Sequence, residues 1–303
     1  MDSRLSELTC LFNALRPTLS VVAVREVLEA ALGWRVCRLM LDEATVVRVV
    51  PELRQRGLAT GIVECHFTSQ SDLGKGRHGR RLMRLDRTEP SAGYFFVYVG
   101  SDQAEMIRAA EAEADRDHEA LGKALGVPEC CRTAFRERYL WECWEQDDPT
   151  SLTSGGTVTR PPHSPWNNVA AKYFGYCLAS FAPCSLSCTA AAERAEASFH
   201  LLRSVSPELA ARFLEEQSSN IIYSEWEGVH RLVQSRWEGE RLVFEGIEST
   251  AESELADALL QSDALEPQGS THFRLWSGSN LIRTVGPFEG FGLFLCGSDE
   301  VPS

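Results

Sequence analysis

Two pairs of cysteines, each placed shortly after a proline, constrain the structure and chemistry of this chain more than any other feature of its sequence. Cys130 and Cys131 follow Pro128, and Cys184 and Cys188 follow Pro183. Proline suits the first position of a helix because the N–H group that it lacks would be unpaired there anyway. We therefore predict that each pair lies in the first turn of a helix. Unpaired amide groups and the helix dipole favour the thiolate over the thiol at such a position.

Thiolates bind soft metal ions, so the two pairs are candidate ligands of one metal centre. Cys184 and Cys188 are four residues apart, which places both side chains on one face of a helix. Cys130 and Cys131 are adjacent, so their side chains diverge by about 100°. Cys131 is the preferred ligand of this pair because it lies on the same helix face as Phe135 and Tyr139, and this face is expected to point toward the core. Four thiolates suit copper, an iron–sulfur cluster or zinc.

Two other interpretations of these cysteines remain open at this point. They could be unrelated core residues, since free cysteine is often simply buried, or they could form a redox-active dithiol without metal. Their spacing matches no standard zinc or ferredoxin pattern. Among the other cysteines, Cys37 and Cys65 lie in short strand-like runs, and we predict that both are buried and inert.

Charge and hydropathy exclude several classes of protein. The chain has 303 residues, and 30 Lys and Arg against 43 Asp and Glu give a net charge of −13. This charge argues against non-specific binding to nucleic acid or to an anionic membrane. The sequence contains no apolar run long enough for a membrane span and no secretory signal pattern. We therefore expect a cytoplasmic protein, and disulfide frameworks are rare in that reducing compartment.

The hydrophobic patterns alternate between helical and strand periods and predict an α+β fold. Residues 1–100 form a mixed α/β section, 101–217 a helical core that carries the cysteine pairs, and 218–303 an α+β section with a largely antiparallel sheet and one helix. The three sections are also compatible with one continuous domain. Within the core, a single helix is predicted over 101–125, with His118 on its apolar face.

Residues outside the cysteine pairs are candidate parts of an active site. Glu129 and His118 are candidate catalytic residues that handle protons. The glycine-rich basic segment 74–87 can hold an anionic group of a substrate, although a solvated hairpin tip is an alternative. Its candidate substrate-binding residues are Lys75, Arg77, Arg80 and Arg81.

The segment 146–167 joins the two cysteine pairs and is rich in Pro, Gly, Ser and Thr. A loop of this length inside a compact domain is usually either functional or disordered. We predict that it covers the metal site, with Gly155 and Gly156 as a hinge. His163 and Trp166 are then placed to contact a substrate. The alternative is a solvated linker.

The cysteine segments resemble a known family. The stretch Leu125-Gly126-Val127-Pro128-Glu129-Cys130-Cys131 with Phe135, followed by Pro183-Cys184-Ser185-x-x-Cys188, resembles domain of unknown function 483. Members of that family carry Gly-aromatic-Pro-x-Cys-Cys and Pro-Cys-Ser-x-x-Cys stretches, and Val127 stands here in place of the aromatic residue. The resemblance covers about residues 94–205. It implies that the four cysteines work as a set and implies no particular reaction.

Two functions from different classes fit this sequence. The first is a cytoplasmic metal–thiolate enzyme that modifies a small molecule, such as an amino acid or a biosynthetic intermediate, by redox chemistry. The second is a non-catalytic binding or scaffold protein in which the same cysteines form a closed structural site. An open coordination position distinguishes the two, because structural sites are saturated by protein ligands. The sequence contains no hydrolase, dinucleotide-binding or His-Glu-x-x-His motif.

Overall fold

The computed structural model describes residues 3–63, 67–71, 80–84, 93–139, 150, 153, 164–224, 226–268, 272–286 and 291–295. These residues form helices and antiparallel sheets, which confirms the predicted α+β class. They group into two compact units. The first unit draws on residues 1–70, 81–136 and 197–211, and the second on 71–80, 137–196 and 212–303.

The first unit contains an antiparallel sheet of five described strands. Strand β1 (Cys37–Asp42) pairs with β5 (Tyr94–Gly100), and the other edge of β5 pairs with β2 (Ala59–Ile62) and β3 (Phe67–Ser71). Strand β4 (Arg80–Arg84) lies beyond β3. Five of the seven residues of β5 are buried, because the strand lies in the middle of the sheet.

The hydrophobic pattern predicts helices over 5–15, over 22–32 and near 44–56, and three helices of the first unit lie there. They are α1 (Ser3–Leu15), α2 (Val21–Ala31) and α3 (Glu43–Gln55). The Ser20 side chain caps α2 by accepting the Ala23 N–H, and Asp42 caps α3 in the same way. Such caps satisfy amide groups that have no partner inside the helix.

The predicted helix over 101–125 is wrong, because this stretch forms two helices. Helix α4 (Gln103–Ala114) ends before Arg116, which takes a left-handed backbone conformation with φ of 58°. Helix α5 (His118–Ala124) then begins, and Asp117 is its N-terminal cap. The Asp117 carboxylate accepts the Ala120 N–H over 2.9 Å. The sheet and these two helices share an apolar cluster that includes Val36, Phe96, Tyr98, Met106, Ala109 and Leu121.

The second unit contains two antiparallel sheets with the strand orders β10-β7-β6-β14 and β13-β12-β11-β9-β8 among the described residues. The strands are β6 (Asn220–Ser224), β7 (Gly228–Val233), β8 (Arg236–Glu238), β9 (Arg241–Val243), β10 (Gly246–Ser249), β11 (Ala264–Gln268), β12 (His272–Ser277), β13 (Asn280–Val285) and β14 (Phe291–Phe294). A helix (Glu254–Leu260) follows β10. Residues of this helix and of both sheets share one apolar core, which includes Leu232, Leu242, Leu259, Leu265, Phe273 and Leu293.

The sequence pattern predicts a three-stranded meander over 220–246, and this prediction is wrong. Strand β7 ends at Val233 because Gln234 has a left-handed backbone with φ of 50°. The next two strands, β8 and β9, therefore pair with each other and join the second sheet. Strand β10 returns to pair with β7.

The cysteine-bearing part of the chain is helical, with short turns. Helix α6 (Glu129–Ala134) continues into a π-helical turn (Phe135–Tyr139), and two 3₁₀ segments cover Pro165–Asn167 and Val169–Phe174. Helices α7 (Thr189–Val205) and α8 (Pro207–Gln217) follow. Segment 129–139 and helix α7 are each divided between the units: 129–136 and 197–205 belong to the first unit, and 137–139 and 189–196 to the second. Within the described part of the chain, no helix is both long and apolar enough to cross a bilayer.

Candidate metal centre

Four cysteine side chains come together in the structure. The sulfur atoms of Cys130, Cys131, Cys184 and Cys188 all lie within 4.8 Å of one another, and those of Cys130 and Cys131 are 3.9 Å apart. Thiolates bound at about 2.3 Å around a tetrahedral ion have sulfur atoms roughly 3.8 Å apart. The spacing of the four sulfur atoms can therefore accommodate one metal ion, as the sequence predicts.

The first pair lies at the start of α6, as predicted. Pro128 is the residue before the helix, and its carbonyl oxygen accepts the N–H groups of Cys131 (3.0 Å) and Arg132 (2.9 Å). Cys131 is 1% exposed, whereas Cys130 is exposed. Adjacent side chains diverge on a helix, which explains why one faces the interior and the other the surface.

Arg132 holds the start of α6 against α5. Its guanidinium donates to the Glu119 carboxylate over 2.7 Å and to the Val127 carbonyl oxygen over 2.6 Å. Gly122 allows this approach, because a Cβ atom there would lie 2.9 Å from Arg132 Cδ. The position of the first cysteine pair is therefore supported by side-chain contacts on the residue that follows it.

The second pair lies in a turn and not in the first turn of a helix, so this part of the prediction is wrong. Helix α7 begins at Thr189, and Cys188 precedes it as the cap residue, with a carbonyl oxygen that accepts the Ala192 N–H over 3.0 Å. The sequence pattern also predicts an inner face of this helix, and its residues Ala191, Ala195, Phe199 and Leu202 are buried as expected. Cys188 thus lies at the positive end of a helix of 17 residues, where the helix dipole favours negative charge.

Side chains distant in sequence bind the carbonyl groups of the turn. Arg138 donates to the carbonyl oxygen of Cys184 over 2.7 Å, and the Thr153 hydroxyl donates to that of Pro183 over 2.9 Å. These carbonyl groups are satisfied by side chains and are therefore not committed to helical hydrogen bonds. This explains why the turn does not extend α7 toward its N-terminal side.

Asn167 supports the other half of the same turn. Its buried Nδ2 group donates to the carbonyl oxygens of Leu186 (3.0 Å) and Cys188 (2.9 Å). The Leu186 side chain packs in an apolar cluster with Ile221, Tyr223 and Phe294. The backbone between Cys184 and Cys188 is therefore fixed by a hydrophobic anchor and by hydrogen bonds.

The structure places the other predicted site residues as follows. Glu129 and His118 are both exposed, so the predicted position of His118 on an apolar face is wrong. The break in the helix before His118 rotates it toward solvent, and its ring centroid lies 6.0 Å from that of Phe135. Trp166 is 6% exposed. Lys75, Arg77 and His163 lie outside the described residues, and Arg80 and Arg81 are described only as backbone in β4.

The segment 146–167 is described only in part. Two of its described residues, Thr153 and Asn167, contact the turn that carries the second cysteine pair. Gly155 and Gly156 lie outside the described residues. That this segment covers the site stays a prediction.

Cysteines outside the centre provide a contrast. Cys37 is fully buried, as predicted, and its thiol lies 3.7 Å from a carboxylate oxygen of Glu26. Burial raises the pKa of the Cys37 thiol well above its usual value. A neutral thiol of this kind is a poor metal ligand. Cys65 lies outside the described residues.

Sequence reasoning missed the residues that support the cysteines. Arg138, Thr153 and Asn167 act through contacts with residues 46, 30 and about 20 positions away. No local pattern indicates such contacts.

In comparisons with known proteins, no family model, no curated protein and no solved structure matches this chain, so the resemblance to domain of unknown function 483 stays a prediction.

Proposed function

We propose that this protein binds one zinc ion through the thiolates of Cys130, Cys131, Cys184 and Cys188, and that the ion has a structural role. The observation that carries this proposal is the mutual distance of at most 4.8 Å among the four sulfur atoms.

The close spacing supports a single ion over an iron–sulfur cluster. In a cluster, the four cysteine thiolates are distributed over two or four iron atoms on the outside of the core, so that not all of them share one metal atom. Their sulfur atoms are then farther apart than ligands that share one ion. A tetrahedral set of four sulfur ligands around one ion suits zinc, which has no geometric preference of its own and binds thiolates readily.

The number of protein ligands supports a structural role. Four thiolates complete the tetrahedral coordination of zinc, whereas catalytic zinc sites have three protein ligands and one open position. This count favours the non-catalytic alternative over the redox enzyme that the sequence also suggests. The ion would connect segment 129–139 with the 183–188 turn, adding binding free energy to the stability of the folded chain.

The contacts around the ligands support the same role. Arg138 and Asn167 bind the backbone of two ligand residues, Cys184 and Cys188. Groups that orient metal ligands in this way usually change metal affinity by 10- to 100-fold when they are removed. Arg138 also brings a positive charge to a centre whose four thiolates exceed the charge of a divalent ion.

Measurement of bound metal in ligand and control variants tests the proposal. The full chain is purified without oxygen, and its zinc and iron contents are determined by elemental analysis. We expect one zinc per chain in the wild type, strong loss of zinc in Cys131→Ser and Cys184→Ser, and full retention in Cys37→Ser and Cys177→Ser. The last two replace buried cysteines outside the cluster. Equal zinc contents in all four variants, or iron in place of zinc, would contradict the proposal.

A further inference from the structure

The four cysteines of the centre differ in their exposure to solvent. Cys131 and Cys188 are 1% and 7% exposed. Cys184 is half-buried, and Cys130 is exposed. Cys130 is therefore the residue of the four that is most accessible to a solute in water. The sulfur atoms of the other three all lie within 4.8 Å of the Cys130 sulfur atom.

We propose that Cys130 is a modification site for hydroperoxides, and that its oxidation links it to Cys184 or Cys188 and releases the metal ion. This inference rests on the proposed function, because it requires that the four thiolates hold a metal ion. It adds a reaction with a small oxidant to the structural role of the centre.

The first step forms a sulfenic acid. The Cys130 thiolate attacks one oxygen of the hydroperoxide, a sulfur–oxygen bond forms, and the oxygen–oxygen bond breaks. The departing hydroxide or alkoxide takes a proton from water. Cys130 loses two electrons in this step, and the hydroperoxide gains them.

The second step forms a disulfide. A thiolate of the 183–188 turn attacks the oxidised sulfur of Cys130, a sulfur–sulfur bond forms, and hydroxide leaves from the broken sulfur–oxygen bond. Together the two thiolates give up the two electrons that the hydroperoxide accepts. Two of the four ligands are then lost to the ion, and its affinity falls because metal binding requires deprotonated, unbonded thiolates.

Backbone geometry disfavours Cys131 as the partner of Cys130. The Cα atoms of adjacent residues are about 3.8 Å apart across a trans peptide, which is shorter than the roughly 4.4–6.8 Å that disulfides usually span, so a bond between them would be strained. The other two cysteines are in the turn before α7. The disulfide therefore joins α6 to this turn and keeps the two segments connected after the ion has left.

Cys10 provides a matched control for exposure. It is exposed like Cys130, but it lies in α1, and its sulfur accepts a hydrogen bond from Arg56 over 3.3 Å. If exposure alone determined the outcome, oxidation of Cys10 would accompany that of Cys130. The proposal instead requires that zinc release depends on Cys130.

The test uses the zinc-loaded full chain and hydrogen peroxide. Released zinc is followed with a chromogenic chelator, and after acid quenching and thiol blocking the disulfides are mapped by mass spectrometry. We expect one zinc released for each disulfide between Cys130 and a cysteine of the turn, and unchanged release in Cys10→Ser. Zinc release without a disulfide at Cys130, a Cys130–Cys131 disulfide, or oxidation of Cys10 without zinc release would overturn the proposal. The zinc content before peroxide addition tests the proposed function separately.

Discussion

The guanidinium of Arg138 donates a hydrogen bond to the backbone carbonyl oxygen of Cys184 over 2.7 Å. Arg138 lies in the π-helical turn that continues from α6, the helix of Cys130 and Cys131. One helical segment thus provides two candidate ligands and also binds the backbone of a third. This contact supports the geometry of the centre without contributing a ligand.

Replacement of Arg138 by alanine is expected to lower zinc affinity by roughly 10- to 100-fold, the usual effect of removing a group that orients a metal ligand. The measurement is a competition titration against a chelator of known affinity. Arg136→Ala is the matched control, since Arg136 is an exposed arginine of the same turn whose ion pair with Glu119 spans 3.9 Å. Equal affinities of the two variants would show that the contact with Cys184 does not support the site.

Replacement of Asn167 by alanine is expected to lower the free energy of unfolding by about 1–3 kcal/mol, because the Leu186 carbonyl group loses its side-chain donor. The carbonyl group of Cys188 then keeps only the hydrogen bond from the Ala192 N–H. The buried side-chain amide of Asn167 donates hydrogen bonds to the backbone carbonyl oxygens of both Leu186 and Cys188. Urea unfolding of the zinc-loaded protein measures the effect. Asn280→Ala, at an exposed position of β13, should change stability by less than about 0.5 kcal/mol. A similar small change for Asn167→Ala would refute this prediction.

Acid is expected to destabilise the protein through His230. Burial lowers the pKa of His230 from 6.5 to about 4, and its Nδ1 atom lies 2.9 Å from the Ser249 hydroxyl oxygen. As the pH falls from 6.5 to 4, the unfolded chain binds this proton before the folded chain does. The stability that neutral His230 provides is therefore complete above pH 6.5 and is lost through this window, by about 3 kcal/mol in all.

The comparison that isolates His230 is urea unfolding of the wild type and His230→Gln between pH 7 and pH 4. The variant should lose less stability on acidification than the wild type. His200→Gln, which replaces an exposed histidine of α7, should follow the wild type. Parallel pH profiles of the wild type and His230→Gln would contradict the lowered pKa.

Removal of the metal is expected to lower the unfolding temperature, because a ligand that binds only the folded state stabilises it by about 4 kcal/mol at a free concentration 1,000-fold above its Kd. Calorimetry with and without a chelator measures this change, and added zinc should reverse it. Cys131→Ser should unfold at the same temperature with or without the chelator. A chelator effect of wild-type size in that variant would indicate that zinc acts at another place.

The sequence was sufficient to predict elements with a regular hydrophobic period. Helices α1, α2 and α3 lie within two residues of their predicted positions. Strands β1 and β5 lie within one residue of the strands that the pattern predicts near 36–41 and 94–99. Their apolar residues face one core, so local pattern and tertiary packing agree. The paired cysteines were also predictable, because each pair follows a proline and comprises residues that bind metals.

The sequence was insufficient where backbone conformation or distant contacts determine the structure. Arg116 and Gln234 have left-handed backbones that split predicted elements, although neither is a residue type that indicates this conformation. Strand β11 was missed because it contains Glu266 and Pro267, which are uncommon in strands. Its hydrogen bonds to two neighbouring strands stabilise it nevertheless.

Zinc K-edge X-ray absorption spectroscopy of the zinc-loaded protein tests the central claim most directly, because it reports the atoms that surround the ion. Four cysteines at one ion predict a single shell of four sulfur atoms at about 2.3 Å, with no second metal nearby. The Cys131→Ser variant should lose this spectrum, whereas Cys177→Ser should retain it. A shell that contains nitrogen or oxygen atoms, or scattering from a second metal atom, would contradict the four-thiolate centre.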